Sequence, residues 1–184
     1  MKRAWFVAVM LWACVAQATM IVYQTDAELF AKAEVVAVAE IWRREPMRRG
    51  SSVFTDYELE ITESLKGPLR AGTFTFVRTI GGELEDGEGT YVAGAPHPPE
   101  HSTVVVFLSR QPDGIYTLTG FTLGHHELRY DARLRRYFAH RDIDAIEVTR
   151  RSPTRDGVNE NVTIPADRLA SQVIDELRQM AVAR

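Results

Sequence analysis

Hydrophobic and polar positions alternate most clearly between Val53 and Leu65. The odd positions there include Val53, Tyr57, Leu59, Ile61 and Leu65, while the even ones are Phe54, Asp56, Glu58, Glu60, Thr62 and Ser64. Successive side chains of a strand point to opposite faces, so this block predicts a strand with one side in a core and the other in water. Lys66-Gly67-Pro68 ends it as a turn. Thr73 to Ile80 alternates again, with Phe74, Phe76 and Ile80 on one side. Val35 to Ala39 and Thr103 to Leu108 (TVVVFL) are apolar on both faces and predict strands buried on both sides. Ile115 to Phe121 predicts a further strand after the turn Gln111-Pro112-Asp113-Gly114. His126, Leu128 and Tyr130 share a face after Gly124, and a tight turn at Asp131-Ala132-Arg133 leads into Arg135 to His140 as a hairpin.

Period two gives way to helical spacing at both ends. Thr25-Asp26-Ala27-Glu28 fits a capping box, in which Thr25 and Glu28 satisfy each other's free backbone donors, and Leu29, Phe30 and Ala33 follow on one face. A short helix over about Asp26 to Ala33 is expected. Near the C-terminus, Leu169, Val173, Leu177 and Met180 recur at three and four, with Pro165 in the first turn and Asp167 near the positive end of the dipole. That pattern predicts an amphipathic helix over 165–183 docked on the strands. Polar, glycine-rich residues from Gly81 to about His101 predict a long loop, and Arg150 to Asn161, with Pro153 and Gly157, another. About seven strands between two terminal helices make a mainly β fold, an antiparallel barrel or sandwich, and the flanking helices favour the barrel.

The first residues carry a separate signal. Lys2 and Arg3 precede an apolar stretch from Ala4 to Val15, followed by the small residues Ala16-Gln17-Ala18. This is the layout of a secretory signal cut after Ala18, with an apolar run shorter than the roughly 20 residues a spanning helix needs. Residues 19–184 then form one domain, exported to the periplasm or cell exterior, with no transmembrane segment after cleavage. Leu11-Trp12-Ala13-Cys14 also reads as a lipoprotein box, which would anchor the chain through an acylated Cys14. Cys14 is the only cysteine. Its removal with the signal leaves no disulfide, thiolate metal site or cysteine nucleophile, so stability must come from a packed core. The formal net charge of −3 becomes more acidic once Lys2 and Arg3 are gone, which does not suit a nucleic-acid partner. The locally basic stretch from Arg129 to Arg155 is interrupted by acids and reads as solvated strand surface.

Taken in order, "AEVVAVAEI", "YELEITESLKG", "FTFVRTIGG", "VAGAP", "VVVFLSR" and "YTLTGFTLG" resemble a group of secreted bacterial proteins. That group is similar in plan to netrin-like modules and the tissue inhibitors of metalloproteases. The resemblance spans about Ala33 to Gly124 plus the C-terminal helix and implies an OB-type barrel between terminal helices. Its motifs are structural, none catalytic. The inhibitors act through an N-terminal cysteine wedge, which a cysteine-free mature chain cannot form. In the bacterial group an aromatic residue and Gly-Glu usually follow Gly-Ala-Pro; here His97-Pro98-Pro99-Glu100-His101-Ser102 stands after Gly94-Ala95-Pro96.

His97 to His101 matches H-x-x-E-H, the spacing of a zinc-protease helix in which both histidines share a face. Pro98 disfavours helical backbone at His97 and Pro99 removes another donor, so the segment is expected to be a loop and not a zinc helix. His125 and His126, if on a strand, point to opposite faces and cannot chelate one ion. A loop-built metal site from His97, His101, His125 and His126, with His140 nearby, is the alternative. Glu83, Glu85, Asp86 and Glu88 lack the alternating spacing of a calcium loop. Gly81-Gly82 does not open a helix, so no phosphate cradle follows, and no serine sits in a nucleophile elbow. Asn161-Val162-Thr163 would be a glycosylation site only in a eukaryotic secretory route. No cofactor is implied. The leading expectation is a non-catalytic binding module that presents the 81–102 loop to a secreted or envelope protein. A metal-binding protein or metal-dependent hydrolase, and a lipid-anchored envelope component, are the alternatives.

Overall fold

The computed structural model describes residues 20–143, 147–150, 160–161 and 167–183. The signal segment, Cys14, most of the 150–161 loop and Pro165 lie outside these residues. The first elements are β1 (Met20–Val22), α1 (Asp26–Lys32), β2 (Val35–Arg49), β3 (Ser52–Lys66) and β4 (Phe74–Ile80). A small hairpin, β5 (Gly82–Glu83) and β6 (Gly89–Thr90), precedes β7 (Thr103–Arg110) and β8 (Tyr116–Leu118). A single 3-10 turn over Phe121–Gly124 leads into β9 (His125–Asp131) and β10 (Arg136–His140). The last elements are β11 (Glu147–Arg150), β12 (Glu160–Asn161), β13 (Asp167–Leu169) and α2 (Ala170–Val182).

The protein is mainly β with a short helix at each end, as expected. Five strands close on themselves in the order β7-β2-β3-β4-β8 and back to β7, and β9, β10 and β13 extend the sheet from β7. The expected antiparallel pairing holds at every step of the ring except one: Val77 of β4 meets Tyr116 of β8 in parallel. Topology requires this exception. Alternating directions cannot close around an odd number of strands, so a five-strand ring must contain one parallel neighbour.

The ring explains the two runs that are apolar on both faces. Val35, Ala37 and Ala39 of β2 pack inside the ring with Val104, Val106 and Leu108 of β7. The intervening Val36 and Val38, with Val105 and Phe107, pack outside it against Leu29 and Phe30 of α1 and Val173 and Leu177 of α2. β2 and β7 are thus a wall between two cores. β3 keeps its predicted alternation, with Val53, Tyr57, Leu59, Ile61 and Leu65 buried. The apolar side of β4, by contrast, faces out. Its pairing sets Phe74 across from Glu60 and Phe76 across from Glu58, on the wet side, and leaves Thr75, Val77 and Thr79 to face inward.

The helix ends differ in how well local chemistry defines them. The capping box of α1 forms as predicted: Glu28 accepts from the Thr25 backbone N–H at 2.7 Å, and the Glu28 N–H donates to the Thr25 hydroxyl at 3.2 Å. α2 starts at Ala170, not near Pro165, because Asp167–Leu169 pairs with Phe138–His140 as an edge strand. Asp167 therefore sits on a strand and bonds the His140 ring at 2.8 Å instead of charging a helix end. The strand expected over Ile115 to Phe121 stops at Leu118, where Gly120 and Phe121 both adopt positive φ. Gly67, predicted to turn the chain, has φ +97°, and a Cβ there would strike the Glu34 carbonyl.

Candidate functional site

The four histidines singled out above lie in four different settings. His97 is exposed on the rim of a groove beside β2 and β3. His101, in a turn at φ +62°, stands edge-on to Trp42 with ring centroids 6.1 Å apart and lies 3.7 Å from Glu40. The His97–His101 pentapeptide is not helical, and its Pro98 is buried. His125 and His126 are both buried, on opposite faces of β9: His125 pairs with Val106 on the inner side and His126 with Val105 on the outer. Among the described residues, no group of three or more His, Cys, Asp or Glu side chains is placed to hold a metal ion.

His126 belongs to an ionic cluster that joins both helices to the sheet. Its Nε2 lies 3.2 Å from Oδ1 of Asp26, an oxygen that also accepts from Arg141, while Oδ2 accepts from Arg168 at 2.8 Å. Arg168 in turn holds Glu176 of α2 at 2.7 Å. Burial pushes the Asp26 pKa up, but the hydrogen bond from His126 and the charge of Arg141 outweigh it and hold the carboxyl well below its usual range. This cluster escaped the sequence reading, in which Asp26 looked like a residue of the first helical turn. Its partners lie 100 and more positions away.

The interior of the ring is the reverse case. Among the described residues, neither nitrogen of His125 has a hydrogen-bond partner, and the buried hydroxyls of Tyr57 and Thr79 have none beyond each other. Burial pulls His125 down to about 3, helped by the neighbouring charges of His126 and Arg141, so the ring is neutral. Burial likewise raises Tyr57 to about 12 against the opposing charge of Arg44. These groups border a narrow cavity of about 20 Å³ closed by Pro96 and Pro98 from the glycine-rich loop. That is room for about one water molecule.

Tyr57 also lines the far larger space on the other side of that loop. A groove of about 700 Å³ runs between the β2–β3 hairpin and the β5–β6 turn, lined by Arg44, Tyr57, Glu83, Thr90, Tyr91 and His97. The loop is tied down over β3. The Gly81 N–H donates to the Val53 carbonyl at 2.8 Å, the Val53 N–H donates to the Thr90 hydroxyl at 2.8 Å, and the Thr55 hydroxyl donates to the Gly81 carbonyl at 2.7 Å. Gly82, at φ +137°, is where the approach is closest, and a Cβ there would collide with the Thr55 hydroxyl.

The groove lining carries one cation, Arg44, and one carboxylate, Glu83, and neither is in an ion pair among the described residues. Arg43 reaches Glu58 at 3.5 Å and Arg48 pairs with Glu88. Between them, the exposed guanidinium of Arg44 has no carboxylate partner among the described residues. It adds to partial burial in pulling the pKa of His97 below its ordinary value, which leaves the imidazole neutral near pH 7. Tyr91 is 79% exposed at the groove edge. The groove thus offers an exposed cation, a carboxylate, a neutral imidazole, aromatic surface and a roof pinned by hydrogen bonds to β3. Among the described residues, no helix is long and apolar enough to cross a membrane. The chain matches no family model, and no curated protein is similar to it.

Proposed function

We propose that this is an exported, non-catalytic binding module of the periplasm or cell exterior. It engages a secreted or envelope protein through the groove beneath the 81–102 loop, with Arg44 anchoring a carboxylate of that partner. The observation that carries this reading is the Arg44 guanidinium, without a carboxylate partner among the described residues, set beside Tyr57 in a roofed groove. A guanidinium pairs well with carboxylates because its donors form a planar fork. Binding residues also concentrate on loops held by a rigid scaffold, as this loop is by its bonds to β3. The scatter of His97, His101, His125 and His126 over four settings favours this reading over a metal-dependent hydrolase. The five-strand ring between two helices supports the netrin-like, OB-type plan suggested by the motif order.

Retention of proteins from the native envelope on immobilised protein tests the reading, with Arg44→Ala and Arg129→Ala compared side by side. A partner held by the native chain and by Arg129→Ala, but lost from Arg44→Ala and displaced by a peptide with a free C-terminal carboxylate, is the expected result. Equal retention by both variants would refute the groove as the contact. Export is checked separately: the mature protein should begin at Thr19 by intact mass, whereas an acylated Cys14 would make it a lipid-anchored component.

A further inference from the structure

A second surface, on the outer face of the sheet, combines exposed aromatic rings with carboxylates. Trp42, Phe74 and Phe76 lie on the outer face of β2 to β4 and remain 49%, 50% and 45% exposed, in neither core. Trp42 and Phe74 meet edge to face at 6.1 Å. The pairing of β2 with β3 shifts register between Ile41 and Arg43, so Trp42 is the extra residue of a bulge. Bulges re-aim side chains and are enriched beside functional sites.

Carboxylates line the same face. Glu40 lies directly across from Glu60, and Glu60 directly across from Phe74, while Glu58 faces Phe76. Like charges opposed on a ladder repel each other. Among the described residues, Glu58 has Arg43 at 3.5 Å, and Glu40 has only His101, at 3.7 Å. Glu60 has no cation among the described residues. The result is an acidic pair, short of positive charge, set between aromatic rings.

We infer that this face binds an extended, arginine-bearing segment of another protein. A guanidinium seated between Glu40 and Glu60 would relieve their repulsion and lie over the ring of Trp42 or Phe74, where the negative ring face attracts a cation. Phe74 and Phe76 are two residues apart on one strand, about 7 Å, which is the spacing of same-side residues in an extended peptide. A second basic or apolar side chain of the segment would therefore fall on Phe76 and Glu58. This site rests on different residues from the groove and does not depend on it.

The chain contains three tryptophans, so after removal of the signal, or in the full chain with Trp5→Phe and Trp12→Phe, only Trp42 reports by fluorescence. The probe is the blocked peptide Val-Arg-Val-Arg-Val, against the same peptide with citrulline, a neutral isostere, at both arginine positions. Saturable change of Trp42 emission by the arginine peptide is expected, weakened about tenfold or more by Glu60→Gln, with little response to citrulline and none lost in Arg44→Ala. Glu60→Gln should fold as well as the native chain, since it removes a repulsion. Equal binding of the citrulline peptide would show a purely apolar face and overturn the proposal. So would no response to arginine, a response to neutral oligosaccharide instead, or Trp42 already shielded in a concentration-dependent dimer.

Discussion

His125 and His126 are neighbours in the chain, yet they belong to two differently organised ends of the molecule. Around His126, Asp26, Arg141, Arg168 and Glu176 are joined in one network that ties both helices to the outer face of the sheet. Around His125, the ring interior holds the hydroxyls of Tyr57 and Thr79 with no partner beyond each other among the described residues, and just beyond Tyr57 stands Arg44, with no carboxylate partner among them. Burial alone is similar, at 4% and 2% exposure for the two histidines. What differs is whether the side chains are joined into a network, although Nδ1 of His126 and Nε of Arg141 also have no partner among the described residues. At the helix end the joined groups hold the fold; inside the ring the polar groups are buried without such a network, and at the groove the exposed Arg44 is left available.

The largest test of this contrast is removal of Asp26. Asp26→Ala strands the buried Arg141 and His126 without their shared acceptor, and losing one partner of a buried ionic cluster typically costs about 3–5 kcal/mol. Urea unfolding should show a loss of that size, against less than about 1 kcal/mol for Glu176→Ala, which removes an exposed partner of Arg168.

Acid acts on both ends next, since burial depresses His126 as well as His125. The unfolded His125 titrates near 6.5 and the folded one near 3, so between these values only the unfolded chain binds the proton. Stability therefore falls as pH falls through this window, by up to about 1.4 kcal/mol per pH unit for each such histidine. The depressed carboxyl of Asp26 acts lower: its contribution is complete above the ordinary value of 3.8 and is lost as pH drops below it. Unfolding free energy measured from pH 7 to 4 should flatten by about one proton in His125→Phe, while a variant with an unchanged slope would place His125 in contact with solvent.

The smallest expected effects lie in the groove and on the outer face. Arg44→Ala and Glu60→Gln each remove an unpaired surface charge and should shift stability by no more than about 0.5 kcal/mol. A larger loss from Arg44→Ala would mean that its guanidinium supports the fold.

Much of the architecture could be read from local pattern. The capping box at Thr25 and Glu28, the alternation of β3 and the doubly apolar runs of β2 and β7 all involve residues close in sequence, and each formed. Pairing between distant strands was hidden. The outward direction of Phe74 and Phe76 follows from the register of β4 on β3, which apolarity does not encode. Trp42 owes its direction to a bulge, and α2 is shortened because β13 finds a partner in β10. The site residues were hidden for the same reason. Proline at positions 98 and 99 correctly spoke against a helix there, but nothing local marks Asp26 as the acceptor of two distant guanidinium groups and an imidazole, or Arg44 as a cation without a carboxylate partner among the described residues.

The most direct test is envelope-protein retention by the double variant Arg44→Ala/Tyr57→Phe, with its urea midpoint measured on the same preparation. The account predicts a midpoint close to that of the native chain together with loss of the retained partner. A partner still held by the double variant, or a midpoint that collapses, would show that these polar groups serve the fold and not an encounter.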